Sequence, residues 1–205
     1  SVSSDPSNIK EGQIWYNSSV QKIKVAPKIA AWSAGEALND NRKNGSGFGI
    51  QTAAVFAGGQ AAGGGKEVKT EEYDGTDWTT SGDMSTARTQ LGGITTGTLT
   101  AGLIFGGNVP PGSAPHAGES NATEEYDGTS WTNGNNMATT VTAMGGSGTQ
   151  TAAFSAGGSE GGTPKNNSQE YDGTSWTNGN NITLARQALV GAGTQTAGLA
   201  VGGEV

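Results

Sequence analysis

The sequence predicts an all-β fold made of repeated four-stranded antiparallel units. A short apolar stretch recurs four times, at steps of 48, 51 and 45 residues, as GIQTAAVFAGG, GTLTAGLIFGG, GTQTAAFSAGG and GTQTAGLAVGG. A Tyr and a Trp, five residues apart, follow the first three copies. No segment shows a sustained 3.6-residue periodicity, so we expect almost no helix. A period of this length is typical of propellers and other repeat arrays.

Each apolar stretch predicts a pair of inner strands. The copies begin at Gly49, Gly97, Gly148 and Gly193, carry no charge and are bounded by glycines, as expected of buried strands. Small residues such as Ala53 suit strands that crowd together near an axis. Each copy ends at a glycine pair: Gly58 and Gly59, Gly106 and Gly107, Gly157 and Gly158, and Gly202 and Gly203.

An outer hairpin is predicted after each of the first three apolar stretches. An Asp-Gly pair lies between the Tyr and the Trp, and this pair favours a tight turn that needs positive φ. We therefore expect two antiparallel strands, an Asp carboxylate that caps its own turn, and aromatic rings that fill the gap between units. Four antiparallel strands per period are typical of a propeller blade. The aromatic pairs are Tyr73 and Trp78, Tyr126 and Trp131, and Tyr171 and Trp176.

Two further positions repeat after each tryptophan, counting Trp32 as the first. An apolar residue follows six positions later, and an arginine follows ten positions later in three of the four cases. We expect the arginines to bridge neighbouring blades by bonding to carbonyl groups. These positions hold Leu38, Met84, Met137 and Ile182, and then Arg42, Arg88, Val141 and Arg186.

The N-terminal part differs from the repeats. Residues 1–12 are polar and predict a linker or docking arm. Two strand-like runs then flank a polar turn at Asn17 to Ser19, and a third run ends at Trp32. Because Trp32 and Leu38 have the spacing of an outer hairpin, we predict a composite blade. The predicted propeller domain spans 13–205, with blades of 13–42 with 187–205, 43–88, 89–140 and 141–186.

A four-bladed ring that closes within this chain is the preferred interpretation, since propellers commonly close by building one blade from both ends. Two alternatives stay open: the chain is a segment of a longer propeller, or a neighbouring copy completes it. The first residue is Ser rather than Met, and we therefore expect a processed chain or a segment of something longer.

The Gly-Gly pair followed by a spaced Tyr and Trp resembles the kelch repeat, whose fold is a β-propeller. The resemblance covers roughly residues 20–205 and departs from the kelch pattern in its shorter Tyr-to-Trp interval. The repeated EYDGTSWTNGNN and GTQTA are similar to kelch-like repeat proteins of bacteriophages, marine phages especially. The opening SNIKEGQIWYNSSVQKIKV resembles segments of phage tail-fibre and virion structural proteins. The resemblance implies a virion protein exposed on the particle surface.

Composition excludes several classes of function. The net charge is −7 and no basic patch is visible, which disfavours nucleic acid as a partner. No apolar run has the length of a membrane span, so we expect no membrane insertion. The chain has no cysteine, and a disulfide, a thiolate metal site and a cysteine nucleophile are therefore excluded. We expect no cofactor and no metal.

No residue pattern predicts an active site. His116 is the single histidine, lies in a Pro/Gly-rich loop and has no second histidine with which to pair. Carboxylates can bind calcium, and three of them recur at Asp74, Asp127 and Asp172. Their identical positions in the Asp-Gly turns favour a structural role instead. The acid pairs Glu71-Glu72 and Glu124-Glu125 recur before the Tyr strand, which also favours structure over glycosidase chemistry. We expect a protein that is not an enzyme.

Sequence variation concentrates in one class of loop. The distance from the glycine pair to the Tyr is 14, 19 and 13 residues, and these loops differ while the framework repeats. Such variation marks one face of an array, often its binding face. The candidate surface therefore comprises residues 60–70, 108–123 and 159–169, with the polar candidates Lys66, Lys69, Asn108, His116, Asn121, Lys165 and Asn166.

These observations predict a non-enzymatic virion structural and adhesion module, on a tail fibre or on the capsid surface. Its expected partners are other virion proteins and a host surface glycan, contacted through the variable loops, and a homo-oligomer stays open. Two alternatives are a polysaccharide-acting enzyme on a propeller scaffold, which needs acids converging at one mouth of the ring, and a purely architectural virion subunit, whose loops would be buried against neighbours.

Overall fold

The computed structural model describes residues 1–7, 13–25, 35–111 and 118–205. These residues contain no helix, and every pair of named strands is antiparallel. The all-β prediction is thus confirmed. The chain divides into two compact units, Ser1–Gly35 and Glu36–Val205.

The smaller unit is a hairpin held by an N-terminal aspartate. Strands β1 (Ile14–Asn17) and β2 (Lys22–Val25) pair as predicted, on either side of the polar turn. Asp5 accepts hydrogen bonds from Lys24 Nζ at 2.6 Å and Asn17 Nδ2 at 2.8 Å. These bonds, with that from Lys24 first, lower the pKa of Asp5 to about 2. The predicted run ending at Trp32 lies outside the described residues.

The larger unit consists mainly of short strands. In chain order they are β3 (Arg42–Lys43), β4 (Ser46–Ile50), β5 (Ala53–Ala57), β6 (Gln60–Ala61), β7 (Thr70–Tyr73), β8 (Trp78–Ser81), β9 (Gly92–Gly93), β10 (Gly102–Phe105), β11 (Thr123–Tyr126), β12 (Trp131–Asn133), β13 (Gly145–Thr149), β14 (Ala152–Ala156), β15 (Ser159–Glu160), β16 (Thr163–Pro164), β17 (Ser168–Tyr171), β18 (Trp176–Asn178), β19 (Gln187–Thr194) and β20 (Ala197–Glu204).

Three of the repeats form four-stranded antiparallel sheets with one shared topology. The orders are β4-β5-β7-β8, β9-β10-β11-β12 and β13-β14-β17-β18. In each sheet the Tyr lies directly opposite the Trp across the Asp-Gly turn, with ring centroids 4.8 to 5.1 Å apart. The predicted hairpins are confirmed, and the sheets are consistent with propeller blades.

The glycine pair directly follows the second strand in each of the first three repeats, and both of its residues adopt positive φ. The φ values are +65° and +104° at Gly58 and Gly59, and the other three pairs repeat this conformation. Residues with a Cβ adopt this region only at a cost. A Cβ on Gly58 would also lie 2.9 Å from the carbonyl oxygen of Arg88. A pair of glycines is therefore required where the chain leaves the sheet.

The first strands of the four repeats, β4, β9, β13 and β19, lie side by side in that order. A residue other than glycine adopts positive φ near the start of each strand: Asn44, Gln90 and Ala143 lie two positions before β4, β9 and β13, and Ala188 is the second residue of β19. Each amide donates to the carbonyl of its predecessor in this series, from Gln90 to Asn44 at 2.8 Å, then at 2.9 and 2.8 Å. These bonds join all four repeats.

Closure of the array into a ring is not detected among the described strands. β19 and β20 form a two-stranded sheet of their own. In the part of the chain that the structure describes, no bond from the Asn44 amide to the Ala188 carbonyl completes the backbone series. The four-bladed ring with a composite blade therefore stays a prediction, since Trp32 lies outside the described residues.

Candidate binding surface

The variable loops leave the three complete sheets from the same end. Each follows a glycine pair, at the end of β5, β10 or β14, and leads back to the strand that ends in the Tyr. The chain reverses at each glycine pair in the same conformation. The repeated backbone therefore places loops of different sequence at equivalent positions.

Hydrogen bonds join the loop of each repeat to the loop of the next. The Lys66 ammonium donates to the side chain of Asn108 and, at 2.5 Å, to the carbonyl oxygen of Val109. Glu119 Oε1 accepts from the amide of Gly161 at 2.8 Å. The described parts of the three loops consequently form one continuous surface.

Two short strand pairs lie at the bases of the first and third loops, while the tips of these loops are exposed. β3 pairs with β6, and β15 pairs with β16. Residues 62–65 and 160–163 are exposed at the tips of the first and third loops. A cavity of about 300 Å³ beside the first loop is lined by residues that include Asn41, Lys43 and Gln60. The bases of these two loops are therefore held by strand pairing, and their tips are accessible to solvent.

Several of the predicted contact residues bind other parts of the protein. Lys69 Nζ pairs with Asp40 at 2.6 Å, and this bond raises the pKa of Lys69. Lys165 pairs with Glu160 at 2.9 Å. Asn121 Nδ2 donates to the Met137 carbonyl at 3.0 Å. These side chains shape the loops from which the exposed tips project.

The remaining candidates differ in what surrounds them. Burial lowers the pKa of the Lys66 ammonium, which lies half-buried between two loops. The Asn108 side chain accepts a hydrogen bond from that ammonium and is also half-buried. The Asn166 carbonyl accepts from the Ile182 amide at 2.8 Å. His116 lies outside the described residues.

The aromatic residues connect neighbouring sheets, as predicted. Trp131 Nε1 donates to Thr70 Oγ1 of the preceding repeat at 2.8 Å, and Trp176 Nε1 donates to Thr123 Oγ1 at 2.9 Å. Both tryptophans are buried, at 9% and 8% exposure. Each indole ring is therefore buried in one interface between sheets, and its N–H group has a hydrogen-bond acceptor there.

The Tyr hydroxyls bond to the second glutamate of the preceding repeat. Tyr126 donates to Glu72, and Tyr171 donates to Glu125 at 2.5 Å. Burial and then the bond to Glu72 raise the pKa of Tyr126 to about 12, and burial and Glu125 likewise raise that of Tyr171. Both phenols therefore stay protonated at neutral pH and serve as donors.

The arginines bond to carbonyl groups and bridge repeats, as predicted. The Arg88 carbonyl accepts from the Gly59 amide of the first repeat, while its guanidinium donates to the carbonyl of Ala122 at 2.8 Å in the second. That guanidinium also pairs with Glu124, and both side chains are withdrawn from solvent. Arg42 pairs with Glu71 in the same way at 2.6 Å. The first glutamate of each repeated acid pair therefore binds an arginine, and the second accepts from a tyrosine of the next repeat.

The Asp-Gly turns have the predicted caps. Asp127 Oδ1 accepts from the amides of Ser130 and Thr129, both at 2.8 Å, and these bonds lower the pKa of Asp127. Asp74 and Asp172 cap their turns with the same geometry and also have lowered pKa values. Among the described residues, no group of three or more His, Cys, Asp or Glu is placed to hold a metal ion.

Sequence reasoning missed the role of the glutamine in the GTQTA motif. Gln150 Nε2 donates to the carbonyls of Gly102 and Tyr126 in the preceding repeat, both at 3.1 Å. Gln195 makes the same pair of bonds to Ala153 and Tyr171. The repetition of the motif was the available signal, because a polar side chain that recurs in an apolar stretch needs a partner.

No protein family and no curated protein matches this chain. Within the described residues, no helix is long and apolar enough to cross a membrane.

Proposed function

We propose that this chain is a non-enzymatic structural and adhesion module of a bacteriophage particle, with a kelch-like propeller fold. It contacts a host surface glycan or another virion protein through its variable loops. The viral setting and the kelch assignment are supported by the resemblances of the repeats and of the opening segment. The mode of action is supported by the geometry of the loops.

The main observation that supports a binding role is that the loops that differ between repeats contact one another. Lys66 reaches Asn108 in the next loop, and Glu119 reaches Gly161 in the loop after that. A ligand larger than a single loop tip can therefore contact several of them together. Loops presented by a rigid framework are a frequent arrangement for recognition.

The framework beneath the loops supports the same proposal. Buried arginine–glutamate pairs and buried tryptophans join the sheets. Because the interior of each interface is close-packed and hydrogen-bonded, the loop bases keep their relative positions. A surface held in this way loses little conformational entropy when it binds.

The experiment combines particle labelling with glycan binding. Gold-labelled antibodies against this chain are imaged on purified particles, and the purified chain is screened against bacterial surface glycans. Two matched variants then locate the contact surface. Thr163→Arg places a large cation on the tip of the third loop, and Thr177→Arg places the same cation on the exposed outer strand β18.

We expect label on particles, and binding that Thr163→Arg weakens while Thr177→Arg leaves it unchanged. Label at fibre tips supports receptor recognition, whereas label spread over the shell supports contact with other virion proteins. An absence of label from every particle rejects the virion assignment. Release of reducing sugar ends from a bound polysaccharide would reject the non-enzymatic assignment.

A further inference from the structure

We propose that Lys66 and Asn108 form a covalent amide bond that joins the first variable loop to the second, with Glu119 as the group that transfers the proton. The folded chain makes this bond from its own side chains. The inference depends neither on the viral setting nor on the adhesion role.

The two reacting groups lie in contact. The side chain of Lys66 crosses from the first loop to the second, where its Nζ atom donates to Oδ1 of Asn108. The same nitrogen donates to the carbonyl oxygen of Val109 at 2.5 Å. These two bonds hold the amine beside the Cγ atom of Asn108, which is bonded to Oδ1. Two groups held together in this way react without the entropic cost of meeting in solution.

Burial makes Lys66 a better nucleophile than an exposed lysine. Its side chain is half-buried, and the loss of surrounding water lowers the pKa of Lys66. No carboxylate of the described residues pairs with it, whereas Lys69 in the same loop pairs with Asp40 and has a raised pKa. A larger fraction of Lys66 is therefore neutral, and the neutral amine is the form that attacks a carbonyl carbon.

The residue opposite Asn108 carries a carboxylate. Asn108 and Glu119 face each other in an isolated antiparallel bridge. Backbone hydrogen bonds of 2.5 and 2.9 Å lie on either side of this pair, and none joins the two residues themselves. In a non-hydrogen-bonded pair the two side chains lie on the same face, with Cβ atoms about 4.5–5.5 Å apart. The carboxylate of Glu119 therefore begins beside the carboxamide of Asn108.

Glu119 has one oxygen available for proton transfer. The residue is 7% exposed, and its Oε1 atom accepts from the amide of Gly161 at 2.8 Å. No hydrogen bond to Oε2 is present among the described residues. This second oxygen can accept a proton from the reacting nitrogen, directly or through one water molecule.

The reaction exchanges one amide bond for another. The lone pair of the neutral Lys66 amine forms a bond to Cγ of Asn108, and the electron pair of the C=O bond moves onto Oδ1. Glu119 accepts a proton from Nζ and delivers it to Nδ2. When the carbonyl group forms again, the Cγ–Nδ2 bond breaks and ammonia leaves. One amine and one carboxamide thus become one secondary amide and one ammonia, and the balance needs no oxidant, reductant or cofactor.

The junction of the second and third loops lacks this chemistry. Glu119 occupies the repeat position of Lys66, because both lie opposite the residue that follows a glycine pair. In the third repeat that residue is Ser159, which has a hydroxyl group in place of a carboxamide. The covalent bond is therefore specific to the first two loops.

Mass spectrometry of the full chain provides the test. The intact mass of the purified, denatured chain shows whether one ammonia has been lost. Tryptic digestion then locates the bond, because cleavage after Lys66 is blocked. Residues 44–69 consequently stay joined to residues 89–165 in one branched peptide.

Three variants each remove one part of the site. Lys66→Arg keeps the charge but has no nucleophilic amine. Asn108→Ser removes the carboxamide, and Glu119→Gln keeps an acceptor for the Gly161 amide but no longer takes up a proton. The matched control is Lys43→Arg, at an exposed lysine on β3. Circular dichroism confirms that every variant is folded.

We expect the unaltered chain and Lys43→Arg to be lighter than their sequences by one ammonia, and Lys66→Arg and Asn108→Ser to keep their full mass. Glu119→Gln should form the bond at least about a hundredfold more slowly, because a general acid–base group contributes this much or more. Glu119→Asp, which keeps a carboxylate, should recover part of the rate. A purely structural role in bonding to Gly161 predicts the opposite order, with glutamine better tolerated than aspartate.

A folded chain that keeps its full mass after prolonged incubation at neutral pH overturns the inference. A loss of ammonia that maps to an Asn-Gly pair, such as Asn133-Gly134, also overturns it, because ring closure onto the glycine nitrogen releases ammonia as well. Equal rates for Glu119→Gln and the unaltered chain would overturn the role of Glu119 in proton transfer.

Discussion

Arg88 and Glu124 form an ion pair whose side chains are only 0% and 1% exposed, at the junction of the first and second repeats. Burial lowers the pKa of Arg88, and the charge and hydrogen bond of Glu124 oppose that shift. Removing water from two charges is costly, and such a pair persists only where geometry and additional hydrogen bonds compensate. Here the carbonyls of Gly106 and Ala122 supply the additional bonds.

Breaking this pair on one side is expected to be severe. Arg88→Val leaves the Glu124 carboxylate buried without its cation and should lower the free energy of unfolding by about 3–5 kcal/mol. Adding Glu124→Gln should recover most of that loss, because Val141 and Gln169 already occupy these positions in the third repeat. Denaturant unfolding of the two single variants and the double variant measures the coupling. Simple addition of the two single losses would contradict the prediction.

The tryptophans at the sheet interfaces should differ in importance. Trp131→Ala is expected to lower the free energy of unfolding by about 3–5 kcal/mol, because a buried ring and its bond to Thr70 are both removed. Trp78 has the same position in the first repeat but is only half-buried, so Trp78→Ala should cost clearly less. Thermal and denaturant unfolding compare the two variants. Equal losses for the two variants would contradict the prediction that burial sets the difference.

The glutamine contacts between repeats predict a further asymmetry. Gln150→Leu should cost about 1–3 kcal/mol, because the carbonyls of Gly102 and Tyr126 lose their donor. Gln51 is the matched residue of the first repeat and is exposed, so Gln51→Leu should change stability little. Denaturant midpoints at neutral pH test both. A loss as large at Gln51 as at Gln150 would indicate that a carbonyl partner reaches it in solution.

The turn caps predict an acid-dependent loss of stability. Backbone bonds, from Ser130 first, lower the pKa of Asp127 below its unfolded value of about 3.9. The stabilisation is therefore complete above that value and is lost as the pH falls through the folded-state pKa. In the Asp127→Asn variant, the denaturant midpoint should fall less as the pH drops below about 4. Asp83 is exposed and lies outside the Asp-Gly turns, so Asp83→Asn serves as the control. An identical acid response in both variants would exclude the cap.

Much of each repeat could be predicted because its causes are local. The Asp-Gly pair between Tyr126 and Trp131 requires a particular turn, and the turn sets the two rings across from each other. The glycine pairs predicted strand ends for a similar reason, since only glycine adopts consecutive positive φ at little cost. Backbone conformational limits act within a few residues, and a sequence therefore displays them directly.

The contacts between repeats could not be assigned in the same way. Nothing local indicated that Arg88 would meet Glu124, that Gln150 would reach the carbonyls of the preceding sheet, or that Ala143 would adopt positive φ without being glycine. Each contact joins residues far apart in the chain, and its geometry depends on how one sheet packs against the next.

The sequence by itself determined the strands, the turns and the repeat, because these follow from the conformational preferences of a few adjacent residues. It also placed the variable loops after the glycine pairs. Only the tertiary structure decided which side chains pair between sheets, that the loops touch one another, and that β20 pairs with β19 alone among the described strands. Those features arise from packing between distant segments, where burial and hydrogen bonding outweigh the preference of any single residue.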